Sequence, residues 1–249
     1  MVFTTAYNPV AQLLAGIKGV IGSADSPCRE GDATQETIQS SLSKADFVLR
    51  DKVTHWERVA IVTDPTLSKE SLKHFSKLHG INGASVFAPL TAHDPTKCCV
   101  QDLMHVMLEG GLPLEVQLFL RYVRGENLIK LTELNHLMKS LNFGHLQTDC
   151  LSEIVDDRLN NTLRQNSLHL AVGYVFPFLS KPFVKHHPRA LQRLNNLVTS
   201  NINLALHFTI QVDDVALLER MIIMHHPCFK RLYPDKKLPP KFHYMIHFS

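Results

Sequence analysis

The sequence predicts a mostly α-helical protein with at most a few short strands. In several segments apolar residues recur at spacings of three and four, which is the period of one face of a helix. The alternation of apolar and polar residues that is typical of strands is rare and weak. Of the 249 residues, 45% are hydrophobic and 20% are charged, which indicates a folded globular protein of one large or two small domains. This balance excludes a disordered tail, a collagen-like chain and a coiled-coil rod.

Turn residues and helix caps divide the first hundred residues. Ser68 can accept a backbone N–H at the start of a helix, and Gly80 can end that helix because glycine tolerates a left-handed backbone. In chain order we predict a strand end at 1–6, a helix at 10–21, a loop leading into a helix at 23–43, an extended segment at 45–50, helices at 54–63 and 68–79, and a loop at 81–93.

The remaining chain predicts further helices. One begins near Cys99 and ends at Glu109, because Gly110 and Gly111 follow, and Pro113 then occupies the first turn of the next helix. Beyond these we predict helices at 130–141 (with Thr132 as its cap), 161–175, 188–206 and 212–226, a stiff proline-rich loop, and a short apolar segment at 241–248.

The basic residues concentrate at the C-terminal end of the chain. The net charge is +3, yet residues 181–249 hold ten Lys and Arg against four Asp and Glu, a local charge of +6. Such a segment is compatible with a nucleic-acid phosphate backbone as its partner, and equally with an ordinary solvated face. The candidate DNA-binding residues are Lys230, Arg231, Lys236, Lys237 and Lys241.

Several functional classes lack support in the sequence. The longest apolar runs fall short of the 18 or so residues that a membrane span needs, and the N-terminus does not resemble a signal peptide. Five cysteines, an odd number, favour a reducing compartment over a disulfide framework, so we expect a nuclear or cytoplasmic protein that is not secreted. Neither a glycine-rich phosphate loop nor a nucleophile elbow occurs, and no small-molecule substrate is indicated.

Asp102, His105 and Glu109 form the first candidate site. Their spacings of three and four residues place them on one face of a helix. Such a set can hold a metal, activate a water molecule as in a metal-dependent hydrolase, or simply form a structural hydrogen-bond network.

His243 and His247 form the second candidate site. Two histidines at positions i and i+4 of a helix point in the same direction, which is the geometry of zinc ligation from a helix. Cys28 is the best distant donor, but Gly31 stands where a second cysteine would complete a Cys-x-x-Cys pair. The alternative is that these are two ordinary histidines. The adjacent pairs His186-His187 and His225-His226 are poor metal sites, and we interpret them as helix-terminal residues.

Several segments, in a fixed order, resemble the transposases of the CACTA (EnSpm-like) kind and the animal proteins derived from them. The strongest, DLMHVMLEGGLPL at 102–114, is similar to the family block D-x-M-H-D-x-L-E-G-x-x-P. The other segments are ADFVLR at 45–50, HGINGAS at 79–85, FGH at 143–145 and LYPDKKLPPKFHYMIH at 232–247.

The resemblance implies an RNase H-like design related to the catalytic subunit of the vertebrate immune recombinase. In that design three carboxylates hold two divalent metals, and these stabilise the attacking and leaving oxygens of phosphoryl transfer. A large helical insertion separates the second and third carboxylates. A zinc site made of C-x-x-C and a pair of histidines ties the two ends of the insertion together.

Carried over to this chain, the family pattern is incomplete. Cys28, His243 and His247 match zinc ligands, while Gly31 replaces the second cysteine and leaves a vestigial three-ligand zinc site of weakened affinity. The family's second catalytic Asp falls in the stretch Ala6-Tyr7-Asn8, and the other two carboxylates fall outside the chain. The resemblance therefore implies no Mg²⁺ or Mn²⁺ pair and no catalysis, with 1–43 as a remnant of the RNase H-like core and 44–249 as the helical insertion.

Two functions follow as expectations. The first is a catalytically inactive, transposon-derived protein that retains binding to DNA or to a related transposase. The alternative is a helical protein-interaction module without a nucleic-acid role. A metal-dependent hydrolase at Asp102, His105 and Glu109, and a relic of a decayed element without selected function, are the remaining readings.

Overall fold

A computed structural model describes residues 8–18, 24–90, 92–98, 101–102, 104–125, 130–140 and 211–248. Helices make up 57% of this part, which confirms a mostly α protein. Its strand-like pairing consists of two isolated antiparallel bridges, Ile17 with Ile81 and Gly31 with Leu49. The α-helices are α1 Asn8–Leu14, α2 Lys52–Val62, α3 Lys69–His79, α4 Leu112–Gly125, α5 Leu131–Ser140, α6 Val212–Leu232 and α7 Pro240–Met245. Short 3-10 helices cover Thr37–Gln39 and Lys44–Asp46, and a π-helix covers Met104–Gly111.

The chain divides into two compact units. Unit 1 contains Met1–His105 and Lys237–Phe248, and unit 2 contains Val106–Lys236. Unit 1 thus joins the N-terminal part of the sequence to the segment that carries the predicted histidine pair. The predicted division between residues 43 and 44 falls inside unit 1.

Helix α1 is shorter than predicted and begins earlier. It ends at Leu14 instead of continuing to residue 21, because Gly16 adopts a left-handed φ of 75° beside the backbone of Gly83. Ile17, fully buried, then forms the bridge to Ile81. The reversal at Gly16 therefore connects the start of unit 1 to the loop after α3.

The caps explain the bounds of α2 and α3. Asp51 accepts a hydrogen bond from the Thr54 backbone N–H at 2.9 Å, so α2 begins two residues before its predicted start. Ser68 accepts from Ser71 N–H at 3.1 Å, and Gly80 ends α3 with φ 67°, as predicted.

The segment predicted to be extended at 45–50 is extended only in its second half. Its first residues belong to the 3-10 helix Lys44–Asp46, after which the chain pairs with 30–32. The Asp32 N–H donates to the Val48 carbonyl and the Arg50 N–H to the Glu30 carbonyl, each at 2.9 Å. This pairing supports the loop that contains Cys28.

The prediction that Gly110 and Gly111 end a helix was wrong. The residues at 101–102 are not helical, the π-helix begins at Met104, and Leu112 continues it directly as α4. A glycine ends a helix when it takes a left-handed conformation, and the described glycines that do so are Gly16 and Gly80. Pro113 lies in the first turn of α4, as predicted, where a missing N–H is tolerated.

Helix α6 continues past its predicted end at residue 226. Pro227 lies inside it and removes one backbone donor, yet the helix runs on to Leu232. The neighbouring Cys228 and Phe229 are buried, so packing outweighs the local cost of the proline. Helix α5 starts at Leu131, ahead of Thr132, and Thr132 is therefore not its cap.

Other predictions lie outside the described residues, namely the helices at 161–175 and 188–206, the FGH segment at 143–145, the strand end at 1–6 and the pair His186-His187. None of the described helices combines the length and the apolar character needed to cross a bilayer.

Candidate metal centre

Cys28, His243 and His247 converge inside unit 1. The Cys28 Sγ lies 3.3 Å from His247 Nε2, which lies 3.2 Å from His243 Nε2. One donor atom from each residue lies within 4.8 Å of the others. The structure therefore brings together the three side chains that were predicted from the sequence to be metal ligands. Cys28 comes from the N-terminal part of the chain and the two histidines from its C-terminal part.

The C-terminal segment positions both histidines. Pro240 begins α7 at a helix position that needs no N–H, His243 lies within the helix, and His247 follows it one turn later. The Phe47 ring packs edge-on against the His243 imidazole at 4.5 Å between centroids. The two imidazoles therefore face the same point, as the i, i+4 spacing predicted.

Two buried polar side chains connect the Cys28 loop to α7. The Tyr244 hydroxyl donates to the Pro27 carbonyl at 3.3 Å, and the Gln12 Nε2 lies 3.5 Å from both that carbonyl and the Tyr244 hydroxyl. Tyr244 is 1% exposed and Gln12 2%. These bonds fix the residue before Cys28 against the residue after His243, and so hold the donor atoms together.

Arg50 holds the loop on both sides of Cys28. Its Nη2 donates to the carbonyls of Ser26 at 3.1 Å and His79 at 2.8 Å, and its Nε donates to the Gly31 carbonyl at 3.4 Å. The Arg50 side chain is only 1% exposed. Burial lowers the pKa of this guanidinium, while the charge of Asp32 opposes that shift.

Asp32 is the counter-ion of this arrangement. It accepts two hydrogen bonds of 2.7 Å from Arg58, one to each carboxylate oxygen, and lies 3.5 Å from Arg50 Nε. Burial raises the pKa of Asp32, but the hydrogen bonds from Arg58 and the charges of both arginines outweigh it and lower the pKa overall. The carboxylate stays ionised, and Asp32 therefore neutralises part of the charge of the two arginines beside the loop.

Burial favours the neutral forms of the Cys28 thiol and the His247 imidazole. Burial and the charge of Glu30 raise the pKa of Cys28 to about 12, and burial together with the charges of Lys44 and Arg29 lowers the pKa of His247 to about 4. A metal ion that binds here must displace the thiol proton, whereas the His247 imidazole is already unprotonated at neutral pH.

The donor set and its spacing fit zinc. Tetrahedral zinc with Zn–S of about 2.3 Å and Zn–N of about 2.0–2.1 Å separates its donor atoms by about 3.3–3.6 Å. Two of the three separations, 3.3 Å and 3.2 Å, lie within a few tenths of an ångström of these values, and the third pair of donor atoms lies within 4.8 Å. One soft thiol and two imidazoles are also the ligands that zinc prefers, although a structural zinc usually has four.

Gly31, which stands where the family has its second cysteine, lies next to His247. A Cβ atom on Gly31 would lie 4.0 Å from the His247 Cε1, with 3.4 Å to the Val48 carbonyl oxygen and 3.9 Å to the Phe47 Cβ as its other close contacts. These are ordinary van der Waals distances. A side chain at position 31 would therefore start beside the His247 ring without a collision at its Cβ.

Glu30 is a neighbour of the site that the sequence reasoning missed. Its Oε2 lies 3.4 Å from His247 Nδ1, on the side of the ring opposite the cluster. Burial raises the pKa of Glu30 to about 7, against the opposing charge of Arg29. The sequence offered one signal, a carboxylate two residues after the candidate ligand Cys28.

Asp102 and His105 interact, as their spacing predicted. The Asp102 carboxylate forms a short hydrogen bond with His105 Nδ1 and lies 3.4 Å from the His105 backbone N–H. Asp102 lies two positions before the start of the π-helix, which differs from the predicted position inside a helix. Glu109 belongs to unit 2 and is half-buried. In the part of the chain that the structure describes, only Cys28, His243 and His247 form a three-residue metal-ligand group.

The five candidate DNA-binding residues differ in their solvent exposure, and they are divided between unit 1 and unit 2. Arg231, Lys236 and Lys237 are exposed, while Lys230 and Lys241 are half-buried. Lys237 and Lys241 belong to unit 1 and the other three to unit 2.

The interpretation of His225 and His226 as helix-terminal residues was wrong. Both lie inside α6 and are buried, with 1% and 2% exposure. His225 Nε2 lies 2.6 Å from Glu115 Oε1, and its Nδ1 lies 3.0 Å from His226 Nδ1. Because α6 continues through Pro227, the pair enters the interior of unit 2 as part of a hydrogen-bonded chain.

No protein-family model matches the chain, and neither a curated protein nor a solved structure does. The functional interpretation therefore depends on this chain's own residues and their geometry.

Proposed function

We propose that this chain is a zinc-stabilised helical module, derived from a CACTA-type transposase, that binds DNA or a related transposase and does not catalyse strand transfer. The observation that carries the proposal is the convergence of Cys28 with His243 and His247. Cys28 and His247 are 219 positions apart in sequence, and their donor atoms are 3.3 Å apart.

The role of the metal is structural. Cys28 and His243 are 0% and 5% exposed, and the His247 side chain is fully buried, so the ion would be shielded from solvent. A zinc ion held there would join the N-terminal loop of unit 1 to α7. Because the unfolded chain does not present these ligands together, the free energy of zinc binding would contribute directly to folding.

The transposase ancestry is supported by the order of the resembling segments and by the ligands themselves. The three residues that the resemblance assigned to zinc are the three that the fold assembles. Arg50, at the end of the ADFVLR segment, supports the Cys28 loop, and His79, at the start of HGINGAS, accepts one of its hydrogen bonds. Absence of strand transfer rests on the family's catalytic carboxylates, which this chain lacks at the matching position 7.

We expect the metal-free protein to bind one equivalent of Co²⁺, which serves as a spectroscopic substitute for Zn²⁺. Binding should produce a thiolate-to-cobalt charge-transfer band in the near ultraviolet, and Zn²⁺ should displace the cobalt. The Cys28→Ser variant should lose that band because serine cannot supply the thiolate. Cys98→Ser is the matched control, since Cys98 is also a buried free thiol but lies outside the cluster. A wild-type chain that binds no cobalt, or an unchanged band in Cys28→Ser, contradicts the zinc proposal.

We expect the chain to bind duplex DNA, and we expect the logarithm of its affinity to fall linearly with the logarithm of the salt concentration. Each neutralised phosphate contributes a slope of about −0.9 in a plot of log affinity against log salt. Replacing the three exposed residues Arg231, Lys236 and Lys237 with Gln should reduce the slope by about one unit per lost contact. The control is the double variant Lys69→Gln, Lys73→Gln in α3. It also removes positive charges from exposed residues, but outside the candidate DNA-binding set, and it should leave the slope unchanged.

A flat salt response, or absence of DNA binding, contradicts the nucleic-acid part of the proposal. That result favours a helical module that recognises another protein, with a related transposase as the first partner to test by co-purification.

A further inference from the structure

We propose that Glu30 is the carboxylate that orients His247 toward the metal. The inference rests on the proposed zinc site and adds a positioning residue to it. Glu30 lies outside the ligand set, yet it is the acidic side chain that faces the far nitrogen of a ligand.

The two ring nitrogens of His247 face opposite partners. The Nε2 atom faces the cluster, at 3.3 Å from Cys28 Sγ and 3.2 Å from His243 Nε2. The Nδ1 atom faces Glu30 Oε2 at 3.4 Å. This division of the ring is the one found at zinc sites, where the ligating nitrogen binds the ion and the other donates its N–H to a carboxylate.

Metal ligation through Nε2 requires one particular tautomer of His247. A neutral imidazole carries one proton, and the metal requires the lone pair of Nε2. With Nε2 free to ligate, the His247 proton lies on Nδ1, on the side of Glu30 Oε2. With a metal on Nε2, this Nδ1–H would donate to the Glu30 carboxylate.

The contact between His247 Nδ1 and Glu30 is slightly longer than a hydrogen bond. Nδ1 is a buried atom, and its separation from Glu30 is longer than the usual 2.7–3.2 Å. A small rotation of either side chain would close that distance. The Glu30 backbone is fixed meanwhile, because its carbonyl accepts the Arg50 N–H at 2.9 Å. The carboxylate is therefore placed to pair with Nδ1 after a small side-chain adjustment.

The test compares Co²⁺ and Zn²⁺ affinities of the wild type, Glu30→Gln and Glu36→Gln at one pH. Glu36→Gln is the control because Glu36 is an exposed carboxylate in the same loop region. Loss of an outer carboxylate at a metal site lowers affinity by about 10-fold to 100-fold, so we expect that loss in Glu30→Gln and none in Glu36→Gln. The cobalt spectrum of Glu30→Gln should keep its shape, since the three ligands are unchanged.

Two further measurements test whether Glu30 positions His247 or only stabilises the fold. Metal-free Glu30→Gln should unfold at the same urea concentration as the metal-free wild type. In the zinc-bound wild type, ¹⁵N spectra should show both ligating imidazoles protonated at Nδ1, and Glu30→Gln should alter the signal of His247 but not that of His243.

The outcomes distinguish the two proposals. A wild type without metal binding overturns the zinc site. Metal binding with equal affinity in Glu30→Gln overturns the role of Glu30 alone. An altered cobalt spectrum in Glu30→Gln also overturns it, because Glu30 would then be a direct ligand. Lower stability of the metal-free variant in proportion to its lost affinity overturns it as well, because the residue would then act only through the fold.

Discussion

We expect the Gly31→Cys variant to bind zinc about 100-fold more tightly than the wild type. The wild-type cluster supplies three donors, and a second thiolate would complete the four ligands that structural zinc prefers. Changes outside the ligand shell already alter affinity by about 10-fold to 100-fold, so a new ligand should reach at least the upper end of that range. The measurement is a competition titration against a chromophoric chelator.

The geometry of position 31 supports this expectation. Gly31 is buried and does not use a left-handed backbone, so an L side chain is compatible with its conformation. Its Cβ would lie 4.0 Å from the His247 Cε1 atom. The sulfur of a cysteine lies one bond beyond the Cβ and can therefore be placed next to the cluster.

Gly31→Ser is the control, because it adds a side chain of similar size that is a poor zinc ligand. Gly31→Cys should add a second thiolate-to-cobalt transition, with roughly doubled charge-transfer intensity, while Gly31→Ser should not. Equal zinc affinity in the two variants would show that position 31 does not reach the ion.

Local signals in the sequence were sufficient to predict a helix end where a single residue determines the backbone conformation there. Ser68 and Gly80 each fix one end of α3 through their own hydrogen bond or φ angle, and both were identified. Gly110-Gly111 and Pro227 are equally strong local signals, but the structure overrides them. Gly111 leads directly into α4, and the buried surface around Pro227 keeps α6 helical.

The candidate site was predictable to the extent that its chemistry is visible in residue types. A histidine pair at i, i+4 and an unpaired cysteine are recognisable donors, and these three residues do converge. The roles of Glu30 and Arg50 were not predictable, because they depend on partners that are distant in sequence, although Glu30 does lie two residues after the candidate ligand Cys28. A glutamate in a polar loop has no signature of the imidazole it faces, and a lone arginine after a short apolar run does not reveal that it is 1% exposed.

Arg50→Met should lower the free energy of unfolding by about 3–5 kcal/mol in the metal-free protein. Methionine is of similar length but has no donor, so the carbonyls of Ser26 and His79 would lose charged hydrogen bonds of 3.1 Å and 2.8 Å inside the protein. Each hydrogen bond from a charged group contributes about 1.5–3 kcal/mol. Asp32 would keep its paired bonds to Arg58, so the loss comes from the carbonyls rather than from a stranded carboxylate.

Urea unfolding in the presence of a chelator measures this effect without a contribution from zinc. Lys77→Met is the control, because Lys77 and Asp25 form an ion pair of 3.6 Å with both side chains about half exposed, and such surface pairs contribute about 0.2–1 kcal/mol. If Arg50→Met lost no more stability than Lys77→Met, the guanidinium would not hold the loop.

Arg50→Met should also weaken cobalt binding, since Ser26 and Gly31 flank Cys28 and their carbonyls are the ones that Arg50 fixes. Normal cobalt affinity in a destabilised Arg50→Met protein would show that Tyr244 and Gln12 suffice to position Cys28.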